Sequence, residues 1–350
     1  MASQEMAPVE PMRLAIVGCG AITEAGHAPG VIASRYGRLT TLVDIDIERA
    51  RALGKKFGIS DVRDNTRGLA ESVDGAIGAV PHHVHEAVAT DILGQGLHLL
   101  MEKPLGCSVA ECERIVSASR RSGTTLATAM LRRFVAANRM VRRIIEDQML
   151  GTVESFSFDE GQLFSWPIKT PFLLQPNYPG RGVLIGNGSH IFDLVRWLFG
   201  DVADIAVSAD SDNGGESDAT IDLKMTSGAR GAIRLSRIRA LDSGIRIRFS
   251  RGEVHVPPFG DDVKLMGLDG RPIAVAKPEA EFDVSTNSAQ MRDLMALQVD
   301  NFVVAARLGR RPEVDGADAT DTIRLVERAA AKVRVTRMPW STRGVHLPAA

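Results

Sequence analysis

Between Arg13 and about Ala129, short apolar runs alternate with amphipathic segments, and few folds satisfy that rhythm. A buried run of five or six residues reads as a central strand and a segment of helical period as a crossover; repeated, they build a parallel sheet with helices on both faces. Strands are expected at Arg13–Gly18, Leu39–Asp44, Gly75–Val80, Leu97–Met101 and Thr124–Ala129, with a weaker one near Val62. Helices fall between them, as at Ile47–Phe57 and Val84–Leu93. Such doubly wound sheets bind ligands at the carboxyl ends of their strands.

After an arginine-rich helix, Phe134–Asp147, the period changes to two: "TVESFSFDEG", "TIDLKMTSG", "ARGAIRLSRIRA" and "SGIRIRFSRGEVHV" alternate, with turn residues between them. That pattern predicts a largely antiparallel second sheet, so the fold class is α/β with two unlike domains. With 350 residues, and domains commonly of roughly 100 to 200 residues, we divide the chain into a frayed terminus at 1–12, a nucleotide-binding domain at 13–131 and a second domain at 132–350. The arginines of "IRLSRIR" and "IRIRFSR" share a face, read here as a solvated or subunit-facing surface in preference to an anionic-ligand site. Helices containing "MRDLMALQVDNFVVAARLG" and "ATDTIRLVERAAAKV" close the chain.

Lys and Arg number 42 against 43 Asp and Glu. Neither nucleic acid nor a membrane surface is therefore expected as a partner. Cys19, Cys107 and Cys112 form no CxxC pair and are odd in number, which points to reduced thiols and a cytoplasmic setting. The leading "MASQEMAPVEP" has no apolar core of a signal peptide.

"LAIVGCGAIT" puts Gly18-Cys19-Gly20 after a strand and before a helix, where bare amides and the helix dipole can receive a pyrophosphate. Thr23 stands where a third glycine would complete the fingerprint. A tight turn alone would also carry GxG, but Asp44 ends the next strand, where a carboxylate meets ribose hydroxyls. Asp44 would repel a 2′-phosphate and Ile45 follows it, so NAD is expected ahead of NADP, with Arg49 and Arg51 weighing the other way. "AVPHHVH" brings three histidines, yet His82 and His83 diverge and no Cys or carboxylate completes a zinc set, so no metal is expected. In "LLMEKPLG" a lysine, Lys103, closes a strand of the nucleotide sheet, pointing it into the ligand crevice, before an X-Pro bond that can be cis.

Nearly the whole chain resembles the Gfo/Idh/MocA oxidoreductases, through "AIVGCGAI", "VDIDIERARALGKKFG", "PHHVH", "MEKPLG", "LRRF" and "GVLIGNGSHIFDLVRWLFG". The resemblance implies a Rossmann domain followed by an α/β domain on an open-faced sheet, and assembly as a homodimer or homotetramer through that sheet. It also implies NAD(P)-linked oxidation or reduction of a secondary carbinol of a small sugar-like or cyclitol polyol. Carried over by motif, Gly18, Gly20, Ala21 and Ile22 would hold the pyrophosphate, Asp44 the adenosine ribose, and Pro81 and His85 the cofactor wall. Glu102 would lie near the nicotinamide ribose, Lys103 at the reacting oxygen and Arg133 near the nicotinamide, with His190 as acid/base.

One departure stands out. The family pattern D-x-G-x-H has an aspartate one turn before the histidine; here Gly186 occupies that place in Gly186-Asn187-Gly188-Ser189-His190. Asp193, Asn187, and Asp159 or Glu160 are candidates to replace it, and the glycine is expected to leave space for a bulkier, deoxygenated or amino-substituted ring. "FSWPIKTPFLLQPNY" is read as a loop over the cleft, with Trp166 stacking on a sugar face and Asn177 or Tyr178 binding hydroxyls. Two other functions stay open: a ketoreductase or redox-neutral enzyme with Lys103 as acid and His190 only binding, or an NAD-binding regulatory protein.

Overall fold

The computed structural model describes residues 9–165, 180–211, 215–257, 262–277 and 287–336. Six strands, β1 (Met12–Val17), β2 (Gly37–Val43), β3 (Asp61–Arg63), β4 (Gly75–Gly78), β5 (His98–Met101) and β6 (Leu126–Thr128), form the first sheet. Their order is β3-β2-β1-β4-β5-β6 and every pairing is parallel. The order reverses beside β1, which opens a crevice at the strand tips. Helices α1 (Ala28–Ala33), α2 (Ile47–Phe57), α3 (His85–Gly94) and α4 (Val109–Ser122) supply crossovers. Asp46 caps α2 by accepting from the Arg49 amide, and Ser108 caps α4 by accepting from that of Glu111.

The second part begins with α5 (Ala136–Glu146) and β7 (Val153–Gly161), then α6 (Val183–Gly186) and α7 (Gly188–Phe199). There follow β8 (Val202–Ala209), β9 (Asp218–Met225), β10 (Arg230–Ser236), β11 (Gly244–Phe249), β12 (Gly252–Val256), β13 (Val263–Met266) and β14 (Pro272–Ala276). Helices α8 (Asn287–Leu308) and α9 (Gly316–Ala330) and strand β15 (Val333–Val335) complete it. The second sheet runs β14-β13-β12-β11-β7-β10-β9-β8-β15, antiparallel except where β10 meets β7 and β15 meets β8. One face is packed: Phe156, Phe158, Ile233, Leu235 and Ile247 share a core with Ile191, Leu194 and Val195 of α7.

The boundary expected at 131/132 is not a clean one. The segment between β1 and β2 is only a wide helical turn, Thr23–His27, and the six residues of α1. That is too little to cover the apolar face of two central strands, and α8 returns to cover it. Val299, Phe302 and Val303 join the core around Met12, Leu14 and Ile16, and the Ser34 hydroxyl donates to Asp300 at 2.5 Å. A Cβ on Gly30 would lie 2.4 Å from Met295 Cβ, so glycine sets how closely α1 and α8 approach.

Candidate active site

At the tip of β1, Gly18 has φ +100°, and a Cβ there would sit 2.2 Å from the Ala79 carbonyl oxygen. Glycine is required at that point by both backbone conformation and contact. Gly20 is different, since a Cβ there would meet nothing within 4 Å. Open space in front of a loop at a strand tip is what a pyrophosphate needs. Thr23 donates its hydroxyl to the Gly18 carbonyl at 2.5 Å, bracing the turn. Ala21 and Ile22 are half-buried at the start of the helical segment behind it.

Asp44 follows β2 and is buried, and its carboxylate accepts the Cys19 amide at 2.7 Å and the Asp46 amide at 2.9 Å. The carboxylate thereby ties its own strand end to the glycine loop, and the longer contacts of Arg49 Nη1 to its two oxygens, at 3.3 and 3.4 Å, are the ones a ribose hydroxyl could displace. Arg49 approaches it at 3.3 Å while pairing with Asp46 at 2.9 Å, and Arg51 turns outward to Glu48. These residues fit a dinucleotide whose pyrophosphate faces Gly20 and whose ribose faces Asp44.

Pro81 is half-buried and opens the short turn His82–Val84. His85 departs from its expected place in the cofactor wall. It has no exposed surface, and its ring nitrogens lie 2.7 Å from the Pro104 carbonyl and 2.9 Å from that of Val80. It braces the wall from behind, its single N–H available to one of these two carbonyls, because burial keeps the ring neutral. Burial, together with the neighbouring His85 and Lys103, pushes the His82 imidazole down to about 3. Among the described residues no group of three or more His, Cys, Asp and Glu is arranged to hold a metal ion.

Glu102 and Lys103 follow β5, and the Lys103–Pro104 peptide is cis. Glu102 is held by His27 at 2.8 Å, a fully buried histidine for which the sequence offered no motif, and by the Lys103 amide at 2.9 Å. Burial works to raise the Glu102 carboxyl, but the His27 hydrogen bond and the charges of His27 and Lys103 outweigh it and hold it below the usual range. Lys103 Nζ crosses the cleft and donates to the Gly186 carbonyl at 2.9 Å. Burial, helped by the charges of Arg237 and Arg132, lowers the Lys103 ammonium from its ordinary 10.5 against the pull of Glu102 and Glu160.

His190 lies in the first turn of α7, half-buried. Burial, then the charges of Lys103 and Arg132, puts its imidazole well below 6.5. Its Nδ1 is buried with no partner among the described residues. None of the expected substitutes for the missing aspartate reaches it. Asp193 is instead taken by Arg133, at 2.8 Å and 2.6 Å, in a pair almost wholly inside the protein.

That pairing also corrects the role expected of Arg133. The guanidinium is spent on Asp193, Asp318 and the Glu313 carbonyl, locking α7 and α9 together. Its neighbour Arg132 faces the site and pairs with Glu160 at 2.5 Å. The same alternation separates the two carboxylates of β7. Asp159 points to the open face of the sheet, where Arg234 and Arg246 hold it, so it is no substrate ligand across the cleft. Glu160 points to the packed face and accepts from Asn187 Nδ2 at 2.7 Å. Successive strand residues face opposite ways, so only one of the pair could enter the site.

The space expected beside Gly186 is filled. A Cβ on Gly186 would lie 1.9 Å from Arg237 Nη2. Arg237 follows the last residue of β10 and leaves the row of open-face arginines for the helix side, where its Nε donates to Asn187 Oδ1 at 3.2 Å. Arg237 continues the period of Ile233 and Leu235 onto the packed face, three residues on from the open-face Arg234, which is why a shared arginine face was the wrong reading of this residue. Trp166, Asn177 and Tyr178 lie outside the described residues.

Residues 12–130 match a family described as an oxidoreductase family with an NAD-binding Rossmann fold, and residues 138–255 match the Gfo/Idh/MocA C-terminal domain. D-apiose dehydrogenase of Paraburkholderia graminis is 26% identical over 94% of this chain and 89% of its own. Myo-inositol 2-dehydrogenase of Thermotoga maritima is 23% identical over 88% of this chain and 92% of its own. The fold is shared with aldose-aldose oxidoreductase of Caulobacter crescentus, with a TM-score of 0.81 and 22% identity over 92% of this chain and 98% of that one. Both family matches fall on the two sheets just described, and the open space at Gly20 and the carboxylate of Asp44 suit the cofactor that the first of them names. The chain belongs to the Gfo/Idh/MocA family of NAD-binding oxidoreductases.

Proposed function

We propose that the protein is a dehydrogenase or reductase that interconverts a secondary carbinol and a ketone of a sugar-like or cyclitol substrate. One observation carries the reading. Lys103, from the tip of the nucleotide sheet, and His190, from the second domain, share one half-buried site, with Lys103 held on the Gly186 carbonyl at 2.9 Å. NAD, when held by Gly18, Gly20 and Asp44, would supply the hydride acceptor for the carbinol carbon. Oxidation then requires a group to take the hydroxyl proton and a positive charge beside the developing alkoxide. A lysine whose pKa is lowered by burial serves both ends, neutral as acceptor and charged as stabiliser.

His190 is the weaker base of the two, because burial and two cationic neighbours keep its imidazole neutral well below 6.5. It is suited to holding the hydroxyl by a hydrogen bond and to sharing the proton with Lys103. That balance favours a second version of the same chemistry, in which Lys103 alone moves the proton and His190 orients. Asn187, fixed between Glu160 and Arg237, is placed to bind a neighbouring hydroxyl. NADH formation against a panel of sugars, cyclitols and their keto forms tests the reading. Tight NADH binding with no turnover across the panel would instead favour a regulatory protein.

The open face of the second sheet, carrying Arg234, Arg246 and Arg248 with their carboxylates, supports assembly into a homodimer or homotetramer, and light scattering after gel filtration tests it. Three free thiols accord with a cytoplasmic setting. Among the described residues no helix is long and apolar enough to cross a membrane.

A further inference from the structure

Arg237 is a half-buried guanidinium with one hydrogen bond to the described protein, from Nε to Asn187 Oδ1. No carboxylate of a described residue stands within ion-pair distance of it. The nearby acids are engaged elsewhere: Glu160 by Arg132 and Asn187, Glu102 by His27, and Glu216 by the Leu184 amide. An arginine presents five donors in a planar fork, and the two terminal nitrogens here keep theirs unused. Its Nη2 lies against the Cα of Gly186, whose carbonyl holds Lys103 Nζ. The fork is steadied from another side by the Phe164 ring, 5.9 Å away. A positioned, partly desolvated cation with spare paired donors beside the reacting groups is built for an oxyanion.

We propose that the substrate carries a carboxylate close to its reacting carbinol, seated on the two terminal nitrogens of Arg237, so that the enzyme acts on a sugar acid in preference to a neutral sugar or cyclitol. The inference rests on the dehydrogenase reading and narrows it. A single negative charge matches the single guanidinium. A phosphate dianion would also face Glu160, whose carboxyl is held in the charged form by Arg132 and Asn187 although burial opposes it. The missing aspartate acquires a reason, since a carboxylate at position 186 would occupy the place of Arg237 and repel the substrate's own.

Matched pairs test this: glucose with glucuronate, arabinose with arabinonate, and glucose 6-phosphate as the phosphate arm, each compared by kcat/KM with NAD. We expect the acid to exceed its neutral partner by about 10- to 100-fold, the range for hydrogen bonds to a charged group, and Arg237→Gln to abolish the advantage. NADH affinity and the thermal transition serve as controls for folding, and Arg237→Lys should keep part of the preference. Neutral sugars turned over as well as or better than the acids would overturn the inference while leaving the dehydrogenase standing, and a preference for the phosphate would overturn the carboxylate. No turnover of any member, nor of the wider panel of sugars, cyclitols and their keto forms, would sink the dehydrogenase reading. The inference would then be decided by quenching of bound NADH fluorescence: tighter glucuronate than glucose binding, lost in Arg237→Gln, upholds it, and equal binding overturns it.

Discussion

Two glycines, Gly20 at the tip of the nucleotide sheet and Gly186 at the end of α6, lack side chains to opposite effect. At Gly20 the absent Cβ leaves open space, as a loop that binds a phosphate group requires. At Gly186 the absent Cβ admits the protein's own Arg237, whose Nη2 stands 1.9 Å from where it would be. One loop is empty for a ligand and the other is filled by a cation that changes which ligand fits. A glycine at a site is thus informative only together with what lies in front of it.

The comparison can be broken at several points. Lys103 reaches the Gly186 carbonyl, and Lys103→Met should cost kcat about 10³- to 10⁴-fold, the upper range for loss of a proton-transfer group, with NADH binding retained. Near-normal turnover would remove Lys103 from the chemistry. Gly18→Ala, which forces φ +100° on a side chain and a contact with Ala79, should destabilise the fold by about 1–3 kcal/mol in chemical denaturation. Gly20→Ala should leave that stability unchanged and weaken NADH roughly tenfold, about 1.4 kcal/mol. Gly186→Ala should do the reverse, raising substrate KM several-fold by displacing Arg237 while NADH affinity stays as it was. If both glycine variants struck the same ligand, the distinction drawn between the loops would be lost.

Asp44→Ala should weaken NAD and narrow the discrimination against NADP by about tenfold, measured as the ratio of the two kcat/KM values. Smallest is the effect of mild acid on the imidazole. Because the His190 pKa is depressed by burial, carbinol oxidation should show no limb near 6.5. With neutral Lys103 as the proposed proton acceptor, oxidation should instead rise with pH through a midpoint below 10.5, and ketone reduction should fall through the same midpoint. A single limb at 6.5 would return the proton to an unperturbed histidine.

Much of this architecture is legible along the chain. The alternation from Arg13 to Ala129 predicts five strands and a weak sixth, and all six are present in parallel register, because buried strands are apolar runs whatever surrounds them. Gly18, Gly20, Asp44 and Lys103 sit at strand tips for the same reason. The return of α8 onto the first domain was not legible, since an amphipathic period says that a face is buried and not against what. His27 carries no motif, and only the fold brings it to Glu102, 75 residues away in sequence.

The side chains around Lys103 and His190 divide along the same line. Arg132 and Arg133 are adjacent, as are Asp159 and Glu160; Arg133, expected at the site, is turned away from it, and of the two candidate carboxylates only Glu160 enters. What the amino-acid order alone determined is the set of elements, their class, and the residues at the strand tips, because these follow from local period and burial. Which neighbour of each pair enters the cleft, and that Arg237 fills the place of the lost aspartate, was decided only by tertiary structure. Side-chain direction at the end of a strand or in an irregular turn is set by contacts with distant segments, and those exist only once the two sheets and their helices have come together.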